Sequence, residues 1–471
     1  MSLRSISKKR RTKIVCTIGP ATSSERMLKK LVLAGMDCAR LNFSHGEPAE
    51  HLKVIHSIRK IDREIGKETA ILQDLPGPKF RVGVIPSGSI QLKKGDKVTL
   101  TSCAKKDSVP LRDKDLPRYA KIGGLIFLSD GSIRLKILDT TRTDIVCRCE
   151  IGGTLLSGKG INIPELKDGF ETFTKNDKKF LSFGLEHGVD LVAVSFVRKA
   201  SDILSVRKFM EKAGTTIPIV AKIEKKEAVS NIEDIARVSE VVMVARGDLG
   251  VENPLVMVPE LQKDIISKCL SYSTPVITAT QMLESMVRNP NPTRAEVTDV
   301  ANAIFDGTDA VMLSEETAVG SYPIECVKTL DGVSINAESR LHSTWQSDNF
   351  ESTNQDRVGE AIGRASAIIS DRLDAKAIVV FLDQIEAVSK VSRLRPGAPI
   401  IAVSDDEKKL RQLKLIWGVY PLLARNADSD NATSLVSSLR KEKLLDARER
   451  ATLVCLDRGS SSAIRMQVIQ T

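Results

Sequence analysis

The sequence predicts an α/β protein built from a closed (β/α)8 barrel, a small β-barrel lid domain inserted into it, and a C-terminal open-sheet α/β domain. Three observations predict this. From Lys13 to about Ser314, short apolar runs rich in β-branched residues alternate with amphipathic runs. That alternation breaks once, from about Arg81 to Gly169, for a stretch rich in Gly, Thr, Val and Ile with period-two patterning. After about Gly332 the alternation of strand and helix restarts.

In chain order the strand candidates of the first region are KIVCTI, CARLNF and TAILQD, then DLVAVSF, IPIVAKI, EVVMVA, PVITAT and DAVMLS. Nearly continuous apolar runs of this length read as parallel strands buried on both faces. Between them, ERMLKKLVLAG, DILSVRKFMEKAG and PELQKDIISKCL carry apolar residues at helical spacing. Eight such units match a TIM barrel over 1–80 and 170–335, with its chemistry on the loops that follow the strands. The interruption, 81–169, holds alternating segments such as SIQLKKGDKVTL and SIRLKILDTTRTDIVCRCEI, and an all-β module placed over the catalytic face reads as a lid. The third domain, 350–471, opens with the helix DRVGEAIGRASAIISDRLD and continues through the strands AIVVFL, APIIAVS and ATLVCL.

A length of 471 residues suits about three domains. The net charge of +10 raises nucleic acid as a partner, but aromatic residues make up only 4% and no basic, aromatic-interleaved stretch occurs, so multiply charged small anions are the expected ligands. No run approaches the roughly 20 apolar residues of a membrane span, and the basic, Ser-rich start MSLRSISKKRRTK lacks the apolar centre of a secretory signal. Strand-like sequence from Lys13 leaves little room for a transit peptide, so this start reads as a solvated tail. The eight cysteines are scattered; Cys147 and Cys149 fall on one face of a strand without the second pair a zinc site needs. Reduced thiols and a cytoplasmic location are expected.

Two runs point to the chemistry. IVAKIEKKEA ends an apolar strand in Lys222 and Glu224, and VVMVARGDLG does the same with Asp248. Hard oxygen ligands on a rigid strand edge suit Mg2+ or Mn2+, and a lysine beside them suits a phosphorylated substrate. Glu224 and Asp248 are therefore the expected divalent-metal ligands. The plainer alternative makes Glu224 the cap of a helix starting near Ala228 and Asp248 a strand terminator. Other polar residues gather at successive strand ends: Arg40, Asn42, Ser44 and His45; Asp74, Lys79 and Arg81; then Ser195, Arg198, Thr280, Thr293, Arg294 and Ser314. Singly each has a dull explanation: an ion pair, a turn, a cap or a strand-end hydroxyl. No P-loop, kinase Gly-rich loop or GxSxG elbow is present, so a nucleotide would be held by metal, cations and lid.

Along essentially its whole length the chain resembles pyruvate kinases. The resemblance rests on KIVCTIGPAT, ARLNFSHG, QDLPGPKFRVG, KGINIP, SFVRKASDI, AKIEKKEAVSNI, MVARGDLGVE and the long run ATQMLESMVRNPNPTRAEVTDVANAIFDGTDAVMLSEETAVGSYP. It implies transfer of the phosphoryl group of phosphoenolpyruvate to ADP, giving ATP and pyruvate, in a homotetramer. Carried over by motif, Lys222 neutralises the moving phosphoryl group and the enolate oxygen, Arg40 grips the phosphate, and Thr280 lies near the enolate carbon. The backbone from Ala245 to Gly247 cradles the substrate carboxylate, and Ser195 and Asp248 also belong to the substrate site. Asn42, His45, Arg81 and the lid residue Lys159 meet the nucleotide. Asn42, Ser44, Asp74 and the Leu75 carbonyl correspond to a monovalent-cation site.

Three departures from the family pattern stand out. Lys79 occupies a place where many members carry glutamate, so no K+ requirement is expected. Glu50 falls near a position that is often aromatic in the nucleotide pocket. In the third domain the loop after AIVVFL reads DQIEA, and Asp383 and Glu386 would repel the phosphate that effector-binding members take there; the Ser-rich GSSSA near the C-terminus could offer donors. Two other readings compete: a metal-dependent barrel lyase or aldolase, with Lys222 forming a Schiff base or the metal binding an enolate, and a catalytically silent scaffold or RNA-binding protein that keeps the fold.

Overall fold

A computed structural model describes residues 9–78, 80–103, 105, 108–129, 131–164, 171–341, 357–381, 385–424, 432–441, 444, 452–458 and 464–470. Lys79, Asp383, the Glu386 side chain and the GSSSA run lie outside the described residues.

The first three strands are β1 (Lys13–Ile18), β2 (Cys38–Asn42) and β3 (Ala70–Asp74). The lid strands follow: β4 (Phe80–Arg81), β5 (Ser89–Leu92), β6 (Lys97–Thr101), β7 (Val109–Pro110), β8 (Leu125–Leu128), β9 (Ile133–Thr140), β10 (Asp144–Ile151), β11 (Gly153–Leu156) and β12 (Gly160–Asn162). The chain then returns to the barrel with β13 (Leu191–Val194), β14 (Ile219–Ile223), β15 (Val241–Ala245), β16 (Val276–Ala279) and β17 (Ala310–Leu313). These eight strands close in the order β1-β17-β16-β15-β14-β13-β3-β2, with every pair parallel.

Alternation along the strands produces two cores. Val15, Cys38, Leu72, Ala193, Val220 and Met243 fill the barrel interior, while Ile14, Cys16, Ala39, Ile71, Val192 and Val242 meet the surrounding helices. Both sets are fully buried, which is why the strands read as continuous apolar runs.

Seven lid strands form one sheet in the order β4-β12-β8-β9-β10-β6-β7, and β5 and β11 form a separate ribbon. The sheet curls back on itself. A bridge joins Val82 to Leu111, Gly83 donates to the Pro110 carbonyl at 2.7 Å and Arg112 to the Arg81 carbonyl at 3.0 Å, linking the strands at its two ends. Its own apolar cluster includes Leu100, Ile126, Leu135, Cys147 and Cys149. Burial pushes the Cys147 thiol up to about 12, so it packs as a small apolar group.

The C-terminal strands β18 (Ala377–Phe381), β19 (Ile400–Ser404), β20 (Val419–Leu423), β21 (Thr452–Arg458) and β22 (Ile464–Gln470) form an open sheet ordered β20-β19-β18-β21-β22, parallel except for β22. This domain sits under the barrel, away from the strand ends that carry chemistry. Leu415 enters the interior barrel cluster, Arg395 pairs with Asp309 at 2.9 Å, and Lys13 donates to the Val419 carbonyl at 2.7 Å. No helix among the described residues is long and apolar enough to cross a membrane.

Candidate active site

The inward-facing residues of the barrel are apolar until the strands end, and the next inward position is then polar. Val15 is followed two residues on by Thr17, Cys38 by Arg40, Leu72 by Asp74, Ala193 by Ser195, and Val220 by Lys222 and then Glu224. A period of two along each strand therefore delivers these side chains to one layer at the carboxyl end. Register brings them level: Thr17 faces Arg40, Asn42 faces Asp74, Asp74 faces Ala193, and Val194 faces Ala221 one step below Ser195 and Lys222.

The result is a buried chain of alternating charge. Arg40 donates from Nε to Asp74 Oδ2 at 2.7 Å and from a terminal nitrogen to Thr17 Oγ1 at 2.9 Å. Lys222 Nζ lies 3.2 Å from Asp74 Oδ1, 2.7 Å from Ser195 Oγ and 2.9 Å from Glu224 Oε1. Ser195 in turn donates to the Leu75 carbonyl at 2.8 Å. The main-chain N–H of Phe196 donates to Glu224 Oε2 at 2.8 Å.

Burial favours the neutral forms of all three titratable groups, and neighbours decide the outcome. For Asp74, Lys222 and then Arg40 outweigh burial and hold the carboxyl below its ordinary value. For Lys222, burial lowers and the carboxylates of Asp74 and Glu224 more than reverse it, so the ammonium stays protonated. Glu224 goes the other way: burial, against the opposing pull of Lys222 and with Asp248 adding to it, raises its carboxyl. Among the described residues, three carboxylates, Asp74, Glu224 and Asp248, face two cations, Arg40 and Lys222. Among these five groups one negative charge is unmatched, and burial is the main reason the Glu224 carboxyl is raised. A divalent cation between Glu224 and Asp248 fits that donor set.

Neither plain explanation of the two acids survives. The helix after β14 runs Lys226–Ser230 with Lys225 at its cap position, so Glu224 caps nothing. Asp248 does not end β15, because it sits exposed in the first turn of the helix Arg246–Glu252. Arg40 is likewise a buried residue and not a surface ion pair. Thr293, by contrast, is a cap: it accepts from Glu296 N at 3.2 Å while Glu296 returns to its own N–H at 2.7 Å, starting the helix Arg294–Asp306. Arg294 beside it is exposed. Ser314 is the N-cap residue of the helix Glu315–Ala318, and its buried hydroxyl has no partner among the described residues.

Across the mouth, a cleft of about 1430 Å³ between barrel and lid is lined by Gly247, Asp248 and Thr280 below and by His45, Arg81 and Lys159 around it. Arg81 also donates to the Gly158 carbonyl at 3.1 Å. Thr280 holds a left-handed backbone with φ 71°, rare for a β-branched residue. It accepts the Gly247 N–H at 2.8 Å, which leaves its own hydroxyl proton to point elsewhere. Ala245 ends β15 directly below.

Of the residues tied to a monovalent cation, Asn42 accepts from Ser44 N at 3.1 Å, while Asp74 is taken up by Arg40 and Lys222 and the Leu75 carbonyl by Ser195. Sequence reasoning missed four contributors. Arg246 fixes the Thr280 carbonyl at 2.6 Å and pairs with Asp299 at 2.7 Å; Lys121 and Arg134, the latter paired with Glu150 at 2.9 Å, line the lid wall of the cleft; and Thr17 orients Arg40. Arg246 was visible only as part of a motif, and the lid cations only as exposed charges.

Comparison with known proteins identifies the family. The family model "Pyruvate kinase, barrel domain" matches residues 9–327, and "Pyruvate kinase, alpha/beta domain" matches 360–462. A pyruvate kinase of Sporosarcina psychrophila is 44% identical over 426 residues, covering 89% of this chain and 73% of the relative. Pyruvate kinase 2 of Synechocystis sp. is 44% identical over 432 residues, covering 90% and 72%. The crystal structure of a pyruvate kinase from Cryptosporidium parvum superposes with a TM-score of 0.91 at 30% identity, covering 99% of this chain and 97% of that one. The chain belongs to the pyruvate kinase family.

Proposed function

We propose a division of labour among these residues for the glycolytic reaction the chain catalyses, transfer of the phosphoryl group of phosphoenolpyruvate to ADP to give pyruvate and ATP. The observation that carries it is the buried Arg40–Asp74–Lys222–Glu224 chain lying beside a cleft lined by Asp248, Arg81 and Lys159. Arg40 binds the phosphate of phosphoenolpyruvate. Lys222, kept protonated by two carboxylates, stabilises negative charge as it develops on the transferring group and the enolate oxygen. Ser195 and Asp74 hold that ammonium in place. The Ala245 to Gly247 backbone cradles the substrate carboxylate, and the Thr280 hydroxyl, held by the Gly247 N–H while Arg246 fixes the Thr280 carbonyl, would face the carbon to be protonated. Arg81, Lys159, His45 and Asn42 bind the nucleotide under the lid. Glu224 and Asp248 would hold Mg2+ or Mn2+, which when bound supplies the missing positive charge beside the phosphoryl oxygens.

A Schiff-base lyase is disfavoured because its lysine must be neutral, whereas Asp74 and Glu224 hold Lys222 as ammonium. Pyruvate release from phosphoenolpyruvate and ADP with Mg2+ tests the assignment; its absence would overturn it. We propose a cytoplasmic location, where glycolytic phosphoryl transfer between charged phosphates would run. Exposed apolar side chains at Leu255, Val256 and Met257 support self-association, and we assign a homotetramer.

Lys79 carries a further expectation. A permanent ammonium there replaces the charge that K+ supplies to relatives with glutamate, so adding KCl at constant ionic strength should change the rate by less than about twofold. Lys79→Glu should lower the K+-free rate and create K+ dependence. Strong K+ activation of the unmutated protein would refute this.

A further inference from the structure

Lys225 follows Glu224 in sequence but is not used by the chemistry above. Its side chain is nine-tenths buried and its Nζ lies 2.6 Å from Oε1 of Glu252, whose side chain is as buried as that of Glu224. Glu252 is the last residue of the helix Arg246–Glu252 and lies one turn beyond Asp248. The same ammonium reaches Asn162 Oδ1 at 3.2 Å, and Asn162 ends β12 in the lid, three residues after Lys159. It also lies 5.8 Å from the ring centre of Phe196, whose N–H binds Glu224 and whose backbone is held at φ 58°. One buried charge thus ties together the strand bearing Glu224, the helix bearing Asp248 and the lid strand next to the nucleotide lysine. These groups wall a pocket of about 220 Å³ shared by Phe196, Asn162, Lys225 and Asp248.

We propose that Lys225 is a positioning residue that sets the separation of Glu224 and Asp248 and docks the lid strand over the nucleotide. The proposal rests on the assignment of the divalent ion to those two carboxylates. An exposed lysine would be a weak tether, but this one is buried against Glu252 and Asn162.

The test uses the full chain and Mn2+ as the probe, titrated by electron paramagnetic resonance without substrates and paired with thermal melting and steady-state kinetics. Lys225→Met alone leaves Glu252 buried without a counter-charge, so a weak site there could reflect lost stability. The double variant Lys225→Met/Glu252→Gln removes both charges. It should melt close to the parent, yet bind Mn2+ on the order of 10-fold more weakly and show a raised KM for ADP. Asn162→Ala keeps the ion pair and isolates the lid contact: KM for ADP should rise severalfold with Mn2+ affinity unchanged. Parental Mn2+ affinity in the double variant, or a double variant that no longer folds, would assign the pair to stability and overturn the proposal. A parent that binds Mn2+ but forms no pyruvate would instead sink the phosphotransfer reading and leave the role of Lys225 standing.

Discussion

Lys222→Met should lower kcat on the order of 10²-fold or more while changing phosphoenolpyruvate binding little. Ground-state phosphate is gripped by Arg40, whereas the ammonium of Lys222 matters most when charge moves onto the enolate oxygen. The variant should also lose stability, because Asp74 and Glu224 would remain buried with Arg40 as the one cation among the described residues still bonded to the cluster. Breaking a buried pair from one side costs roughly 3 kcal/mol or more. Rate and stability separate in the measurement: kcat is read at saturating substrate on protein shown by melting to be folded. Near-normal kcat on folded variant would remove Lys222 from the chemistry.

The candidate site was legible in the sequence because the barrel turns position in a strand into position in space. Lys222 and Glu224 were visible as the last two inward residues of IVAKIE, and Arg40, Asp74 and Ser195 hold the same rank on their own strands. What the sequence could not show is which of these touch. Ser195 read as a substrate ligand, and its hydroxyl also accepts from Lys222 and donates to the Leu75 carbonyl, contacts that nothing in the sequence marks. Thr293 read as one more converging polar group and is a helix cap, since a threonine three residues before glutamate fits both descriptions. Lys225 and Glu252 lie 27 residues apart, and nothing local marks them as partners. Lys121 and Arg134 were hidden for the opposite reason: charged residues on an all-β module are usually solvated, and only the curl of the sheet turns these two toward the cleft. The barrel was legible down to its eight strands, because parallel strands buried on both faces leave the strongest apolar signal a sequence carries, whereas β20 and β22 of the third domain went unread.

Glu224→Gln should raise the Mg2+ concentration for half-maximal activity at least tenfold, equivalent to ~1.4 kcal/mol of lost binding. The amide keeps the size of the side chain and an oxygen that can accept the Phe196 N–H. It removes the negative charge and turns an N–H dipole toward Lys222 or into the metal site. Because burial and Asp248 already raise the Glu224 carboxyl, the charge there is sustained by cations, so Mg2+ and Lys222 should both be less firmly held once it is gone. A purely structural glutamate makes a different set of expectations: a fall in stability of about 1–3 kcal/mol from one spoiled hydrogen bond, with Mg2+ dependence unchanged. Titrating Mg2+ against initial rate at fixed phosphoenolpyruvate and ADP, beside a thermal melt of the same preparation, separates the two. A parental Mg2+ curve on a destabilised variant would assign Glu224 to the scaffold, and Asp248 would then need another partner to hold the ion.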